Sequence, residues 1–551
     1  MPTLSIRLAS ATAFALIPLL VVAEEKVDLS VVNRIRTEAF SNSKVMDTMF
    51  YLTDVHGPRL TNSPNFRAAG NWAVGRLKEY GLVNVREEKW GPFGRDWQCK
   101  YYEGHMVEPQ FSSLMAIPLA WTESTNGSVV GEPTLAVIRT QTDMDKFKGK
   151  LRGKIVMTST PRPLPFPTTA EAHRYTEAEL AAEMEAPDPG RSGFFSTPTP
   201  INRADGSARP SREAREALYD KIVTFMKDEG ALLTVTASGN GSGGTIFAAS
   251  SGSYDPKRPV AIPGVALMPE QYNRIARLVE HKIPVKLEFN IQNELSASTV
   301  DSFNIVGEIP GTGPHKDQLV MLGAHFDSWH AGTGATDNAA GSAVMMEAVR
   351  VLKAINQPMD RTVRIALWGG EEEGLLGSRA YVKEHFGDRE TMKVTAEHAK
   401  LSGYFNYDNG TGKIRGVYLQ GNDMMRPIFE SWLAPFKDLG ASAISIRNTG
   451  GTDHLSYDAV GLPGFQFIQD PMDYETRTHH SNMDVFDRIQ SGDLMQASAI
   501  IASFVYNTAT RPDMLPRKPL PAPQPTRQAP SGHDVTEPHD QPPSGVTAPH
   551  P

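Results

Sequence analysis

The spacing of apolar positions changes along the chain and divides it into regions. From Asp28 to about Gly91 the pattern reads helical: VVNRIRTEAF, KVMDTMFYLTDVHG and NFRAAGNWAVGRLKEYG each carry apolar residues three or four apart. Gly81 follows the last of these in the place of a helix-ending glycine. Between about Thr134 and Asn293 the texture turns to short β-type runs, GKIVMTS, GALLTVTAS, TIFAAS and PVKLEFNI. Loops and two amphipathic helices, Arg212–Glu229 and Pro269–Glu280, separate them, so the block reads as an independent β-rich module inserted into a larger domain. Pro and Gly cluster over Pro161–Pro200, which predicts a long loop or a partly helical lid.

From Ser302 to about Ala509 strand and helix patterns alternate. LVMLGAHFD, RTVRIALWG, LSGYFNYD, IRGVYLQG and GFQFIQD read as strands; NAAGSAVMMEAVRVLKAI, SRAYVKEHF and LMQASAIIASFVYNTA read as helices. The alternation predicts an α/β fold, a three-layer sandwich around a mostly parallel sheet, with function at the carboxyl ends of its strands. The expected organisation is a first part over 28–133, the inserted module over 134–293 and the catalytic domain over 294–510.

Both termini lie outside this scheme. Arg7 precedes an apolar stretch from Ala11 to Ala23, followed by Glu24-Glu25-Lys26. That is too short to span a bilayer and fits a signal peptide over residues 1–23, hence a secreted or periplasmic protein with no membrane attachment after cleavage. Residues 511–551 are rich in Pro, Gln, Ser and Thr and read as a disordered tail. The 551 residues carry 55 basic and 63 acidic side chains, a net charge of −8. With no basic stripe, nucleic acid is not the expected partner. The single Cys99 excludes a disulfide and any cysteine-built zinc site, so a metal would need histidines and carboxylates.

Such residues fall at strand ends. His325 and Asp327 close LVMLGAHFD; Asp337 sits in the glycine-rich GTGATDNAAG; Glu371 and Glu372 follow RIALWGG; Asp408 ends GYFNYD; His479 and His480 precede the last helix. Singly, each has a plainer reading. Asp337 suits a helix N-cap, the glutamates a solvated helix start, Asp408 a turn and the histidines a surface loop. Jointly, four strand ends of one α/β unit supply two imidazoles and several carboxylates. This chemistry suits two divalent ions, zinc or else manganese or cobalt. By contrast, Gly239, Gly241 and Gly244 match G-x-G-x-x-G, but β-branched residues follow where a dinucleotide site needs a helix.

The series GAHFDSW, GATDNAAGSA, WGGEEEGLLGS, NYDNGTG, GGTDH and THHSNMD resembles the co-catalytic zinc exopeptidases of the secreted aminopeptidase type, over roughly residues 30–510. Within that family the chain is most similar to the plasma glutamate carboxypeptidase, or carboxypeptidase Q, group, and the 134–293 block resembles the protease-associated domain inserted in many members. The resemblance implies two zinc ions per chain. His325, Asp337 and Asp408 would hold one, and Asp337, Glu372 and His480 the other. Glu371 falls at the general-base position, and Asp327 would hydrogen-bond the other nitrogen of His325. Many relatives carry Tyr where this chain has His479, whose imidazole could donate to the oxyanion instead. Asp453 and His454 match a motif that supports the site or faces substrate. Peptides or dipeptides are the implied substrates, and a homodimer is implied by family analogy. The competing readings are an inactive peptidase-fold binding protein and a single-zinc glutaminyl cyclase.

Overall fold

The computed structural model describes residues 25–189 and 211–523. The proposed signal peptide, much of the Pro161–Pro200 stretch beyond Pro189 and the last part of the tail lie outside the described residues. Two eight-stranded sheets organise the chain.

The first sheet runs, edge to edge, Val83–Gly94, Val300–Ile309, Thr362–Trp368, Leu319–His325, Leu401–Asn406, Gly464–Gln469, Ile414–Tyr418 and Ala443–Ser445. It is mixed. The four strands from Thr362–Trp368 to Gly464–Gln469 are parallel to their neighbours within that row, while antiparallel pairings flank them on both sides. Residues along Leu319–His325 face two different cores in alternation. Val320, Leu322 and Ala324 join the cluster built by the helices Leu29–Ser41, Ala340–Ile355 and Ser491–Thr510. Leu319 and Met321 join Tyr381 and Val382 of the helix Leu376–His385 on the opposite face. A strand covered on both faces reads as continuously apolar, which is why LVML carries no polar alternation.

The second sheet takes its strands from Trp97–Glu108, Ser112–Ser113, Ala116–Pro118, Val129–Leu135, Lys154–Met157, Leu233–Ala237, Gly264–Leu267 and Lys286–Leu295. It therefore draws on residues before 134 as well as after it. Its own core includes Ile155, Leu233, Val265, Tyr272, Leu287 and Phe289. The helices Arg212–Asp228 and Pro269–Glu280 stand where the apolar spacing put them.

Three expectations fail in instructive ways. Val83–Gly94, inside the stretch that read as helical, is an edge strand paired antiparallel with Val300–Ile309. Most of its residues are exposed, so burial imposes no period on them and the long-range pairing decides their conformation. Residues 511–523, expected to be tail, are packed. Leu515 is buried and its N–H donates to Ser402 Oγ, the buried Arg361 guanidinium binds the carbonyls of Arg511 and Pro512, and Lys518 pairs with Asp458. A few anchoring residues hold a segment whose average composition is that of a disordered chain. TIFAAS contributes two isolated bridges, Phe247 to Ser481 and Ser250 to Ala120, in place of a strand.

Candidate metal centre

The four parallel strands end side by side, and the chemistry-bearing residues follow them. His325 is the last residue of its strand; Glu371 and Glu372 lie just beyond Trp368, Asp408 just beyond Asn406, and His479 and His480 beyond Gln469. Asp337 enters from the irregular turn Ala335–Ala339, directly ahead of the helix Ala340–Ile355.

These side chains converge. His325 Nε2 stands 3.1 Å from Asp337 Oδ1 and 3.2 Å from Asp408 Oδ1. His480 Nε2 stands 2.9 Å from Glu372 Oε2 and 3.2 Å from Asp337 Oδ2. The two oxygens of Asp337 thus face two separate groups of side chains, one on each side. His479 packs against His480 with ring centroids 3.8 Å apart and planes tilted by 39°, and its Nε2 lies 3.7 Å from Asp337 Oδ2. Both imidazoles keep roughly a quarter of their surface open, 25% for His479 and 23% for His480. They form the accessible rim, whereas His325, Asp337 and Asp408 are buried.

The site is electrostatically crowded. Burial pushes the Glu371 carboxyl well above the ordinary range; His325 opposes this, while Asp408 and Asp453 add to it. Glu372 is raised by burial and by Asp337. Burial disfavours the charged forms of both ligand-type imidazoles. The surrounding carboxylates win, Asp408 and Glu371 around His325 and Glu372 around His480, and both histidines are held well above their usual value. Asp337 Oδ2 is buried without a hydrogen bond. Two imidazoles set against a cluster of buried carboxylates, with an unpaired oxygen between them, are a donor set that divalent cations would satisfy. The residues fit such ions.

The supporting contacts differ in detail from expectation. His325 Nδ1 lies 3.1 Å from the backbone carbonyl of Asp327, while the Asp327 carboxylate is 3.7 Å away. That carboxylate instead accepts the N–H groups of Glu371 and Glu372, each at 3.2 Å, and the Thr61 hydroxyl at 2.9 Å. Thr61 Oγ1 is also 2.8 Å from Glu373 Oε2, whose carboxyl is pushed well up by burial and by Asp327. Asp453 is fully buried and pushed up to about 7 by burial against the opposing effect of His325. Buried His454 meets Thr449 O at 3.2 Å and is pushed down to about 4.

Several residues that hold the site carried no signal in the sequence. Arg59 is buried and makes four hydrogen bonds to carbonyls: Nε to Phe326, Nη1 to Leu52 and Thr333, Nη2 to Gly334. It ties together the loop that separates His325 from Asp337. Asp484 accepts the Thr336 N–H at 2.5 Å and its hydroxyl at 2.8 Å, which fixes the residue beside Asp337. Asn338 Nδ2 donates to Tyr407 O at 3.0 Å and so joins the neighbours of Asp337 and Asp408. The Trp329 N–H reaches Glu372 Oε1 at 3.2 Å. Arg59, Thr61 and Asn338 are ordinary loop residues by local pattern, and only the fold reveals their partners.

Residues 304–505 match the family model described as peptidase family M28. This chain is a metallopeptidase. Carboxypeptidase Q of Bos taurus is 24% identical over 507 residues, 90% of each chain. Aminopeptidase YwaD of Bacillus subtilis (strain 168) is 28% identical over 318 residues, 56% of this chain and 62% of that one. Among solved structures, a peptidase M28 precursor from Shewanella amazonensis SB2B superposes with a TM-score of 0.62 at 23% identity, covering 90% of this chain and 98% of that one. A zinc aminopeptidase from Bacillus subtilis, BSAP, gives 0.52 at 20% identity, covering 85% and 94%. The metallopeptidase thus shares its fold with these proteins, and its candidate ligands all lie outside the second sheet. No helix among the described residues is long and apolar enough to cross a membrane.

Proposed function

We propose that the chain is an exported exopeptidase that uses two zinc ions to hydrolyse the terminal bond of peptides or dipeptides bearing a free amino group. The observation that carries this reading is the bifacial Asp337 carboxylate, one oxygen toward His325 and the other toward His480. His325, Asp337 and Asp408 would hold one ion, and Asp337, Glu372 and His480 the other. When bound, such ions polarise the scissile carbonyl and lower the pKa of water from about 15.7 towards about 7.

The chain's own residues do the rest. Glu371, buried among acids, takes the proton of the attacking water and delivers it to the departing amine nitrogen. The partly open His479 imidazole donates a hydrogen bond to the oxygen that gains charge at the carbonyl carbon. Asp327 holds the Glu371 and Glu372 backbone, while Asp453 and His454 pack behind the site. The amino-end reading rests on charge. Arg59 donates to four carbonyls behind the centre and Arg477 pairs with Glu171, so neither of these arginines is placed to bind a substrate carboxylate. The unit of the second sheet is proposed to be a protease-associated-like insertion.

The test is mass-spectrometric product analysis of one peptide with a free or acetylated N-terminus, using zinc-loaded protein. Shortening of the free peptide alone, from its N-terminus, is expected. Trimming of the acetylated peptide from its C-terminus would overturn the amino-end reading.

A further inference from the structure

The loop that carries His479 and His480 belongs to the first-sheet domain by sequence, yet segments of the other unit bind its backbone on both sides. On one side the segment Gly244–Ala248 runs antiparallel to it, bridged at Phe247 and Ser481. Ala248 N–H donates to the carbonyl of His480 itself at 3.0 Å, and Asn482 N–H donates to Ile246 O at 3.0 Å. The Asn482 side chain repeats the contact: Oδ1 accepts Ile246 N–H at 2.7 Å and Nδ2 donates to Gly244 O at 3.1 Å.

On the other side a second segment of the same unit docks. His173 and Met472 exchange both backbone hydrogen bonds, at 2.9 and 2.8 Å. Thr476 Oγ1 donates to Glu171 O at 3.0 Å, and the Glu171 carboxylate pairs with Arg477, whose Nε lies 2.8 Å away. The anchor is Asp470, fully buried, which accepts Tyr175 N–H at 3.0 Å and binds Arg174 at 2.9 Å and Arg415 at 3.0 Å. Hydrogen bonds at this density, several of them charge-assisted, fix the loop from outside in addition to its own helical turn over Tyr474–Thr478.

We infer that the second-sheet unit is a working part of the metal centre: it sets the position of His480, with Asn482, Glu171 and Arg477 as positioning residues. This rests on the two-ion reading above. Because His480 serves only one of the two groups of ligands, loosening the loop should weaken one ion and spare the other. Groups that orient a metal ligand typically change affinity about 10–100-fold when removed.

The experiment counts zinc in full-length protein during titration with a competing chelator. Wild type is compared with His480→Ala, Asn482→Leu, Glu171→Ala, and the exchanged pair Glu171→Arg with Arg477→Glu; circular dichroism monitors the fold. The expected result is two ions in wild type, one in His480→Ala, and one of two ions released about 10–100-fold more readily in Asn482→Leu and Glu171→Ala. The exchanged pair should recover toward wild type. If Asn482→Leu does not fold, the partly exposed Glu171 carries the test. Release curves identical to wild type in Glu171→Ala and Asn482→Leu, with one ion still lost in His480→Ala, would overturn the inference while the metal reading stands. If wild type and His480→Ala bind the same number of ions, the metal reading fails and this inference fails with it.

Discussion

Asp327 Oδ1 accepts the backbone N–H of Glu371 at 3.2 Å, so the residue two places beyond one candidate ligand holds the candidate general base. The same carboxylate takes Glu372 N–H and the Thr61 hydroxyl. Asparagine would keep one acceptor oxygen and set an amide donor either against the Glu371 N–H or against the Glu372 N–H and the Thr61 hydroxyl. Asp327→Asn is therefore expected to lower kcat about 10–100-fold with folding retained. Steady-state kinetics alongside metal counting checks this, and an unchanged kcat would contradict the role.

Glu371→Gln separates proton transfer from metal binding. The amide preserves the shape of a buried side chain but cannot take a proton from water. Turnover should fall by about 10²–10⁴-fold while the metal content stays that of wild type. Full activity in this variant would remove Glu371 from the mechanism.

Asp337 is the side chain shared by both ligand groups, and its loss should be felt by both. Asp337→Ala is expected to empty the centre, whereas His480→Ala empties half of it. Removing metal from wild type should also lower the unfolding temperature, because an ion that binds only the folded chain stabilises it by mass action. Elemental analysis and thermal unfolding with and without chelator measure both effects.

His330 supplies a pH dependence away from the ligands. Its ring is half-buried between the units, with Nε2 donating to Pro118 O at 2.6 Å, and desolvation pushes it down to about 4. Below about pH 6.5 the unfolded chain takes up a proton that the native state refuses, so stability falls as pH drops from about 6.5 to about 4, by about 3 kcal/mol in all. His330→Gln, which can keep the bond to Pro118, should flatten that part of the profile in denaturant melts.

Leu515 tests the packed end of the chain. It is 2% exposed and lies against Gly403 in the central sheet. Leu515→Ala should cost about 2–4 kcal/mol, a value foreign to a disordered tail.

Much of the first-sheet domain was legible because its local signals agree. The apolar run of LVMLGAHFD, the amphipathic spacing of NAAGSAVMMEAVRVLKAI and the polar residues at strand ends all act within about 20 residues. Each is enforced by burial on a repeating backbone geometry. The set of candidate residues followed from the same logic, since chemistry collects where parallel strands end, and their division into ligands and base came from the family resemblance. The sequence alone therefore determined which residues could carry the reaction and which strands present them. Only the tertiary structure decided that Arg59 and Thr61 support the centre from some 270 residues upstream of their partners, and that Glu171 and Asn482 clasp the His480 loop. Those relations depend on which distant segments meet. Hydrogen bonds between segments of irregular backbone leave no period in the chain for composition or spacing to reveal.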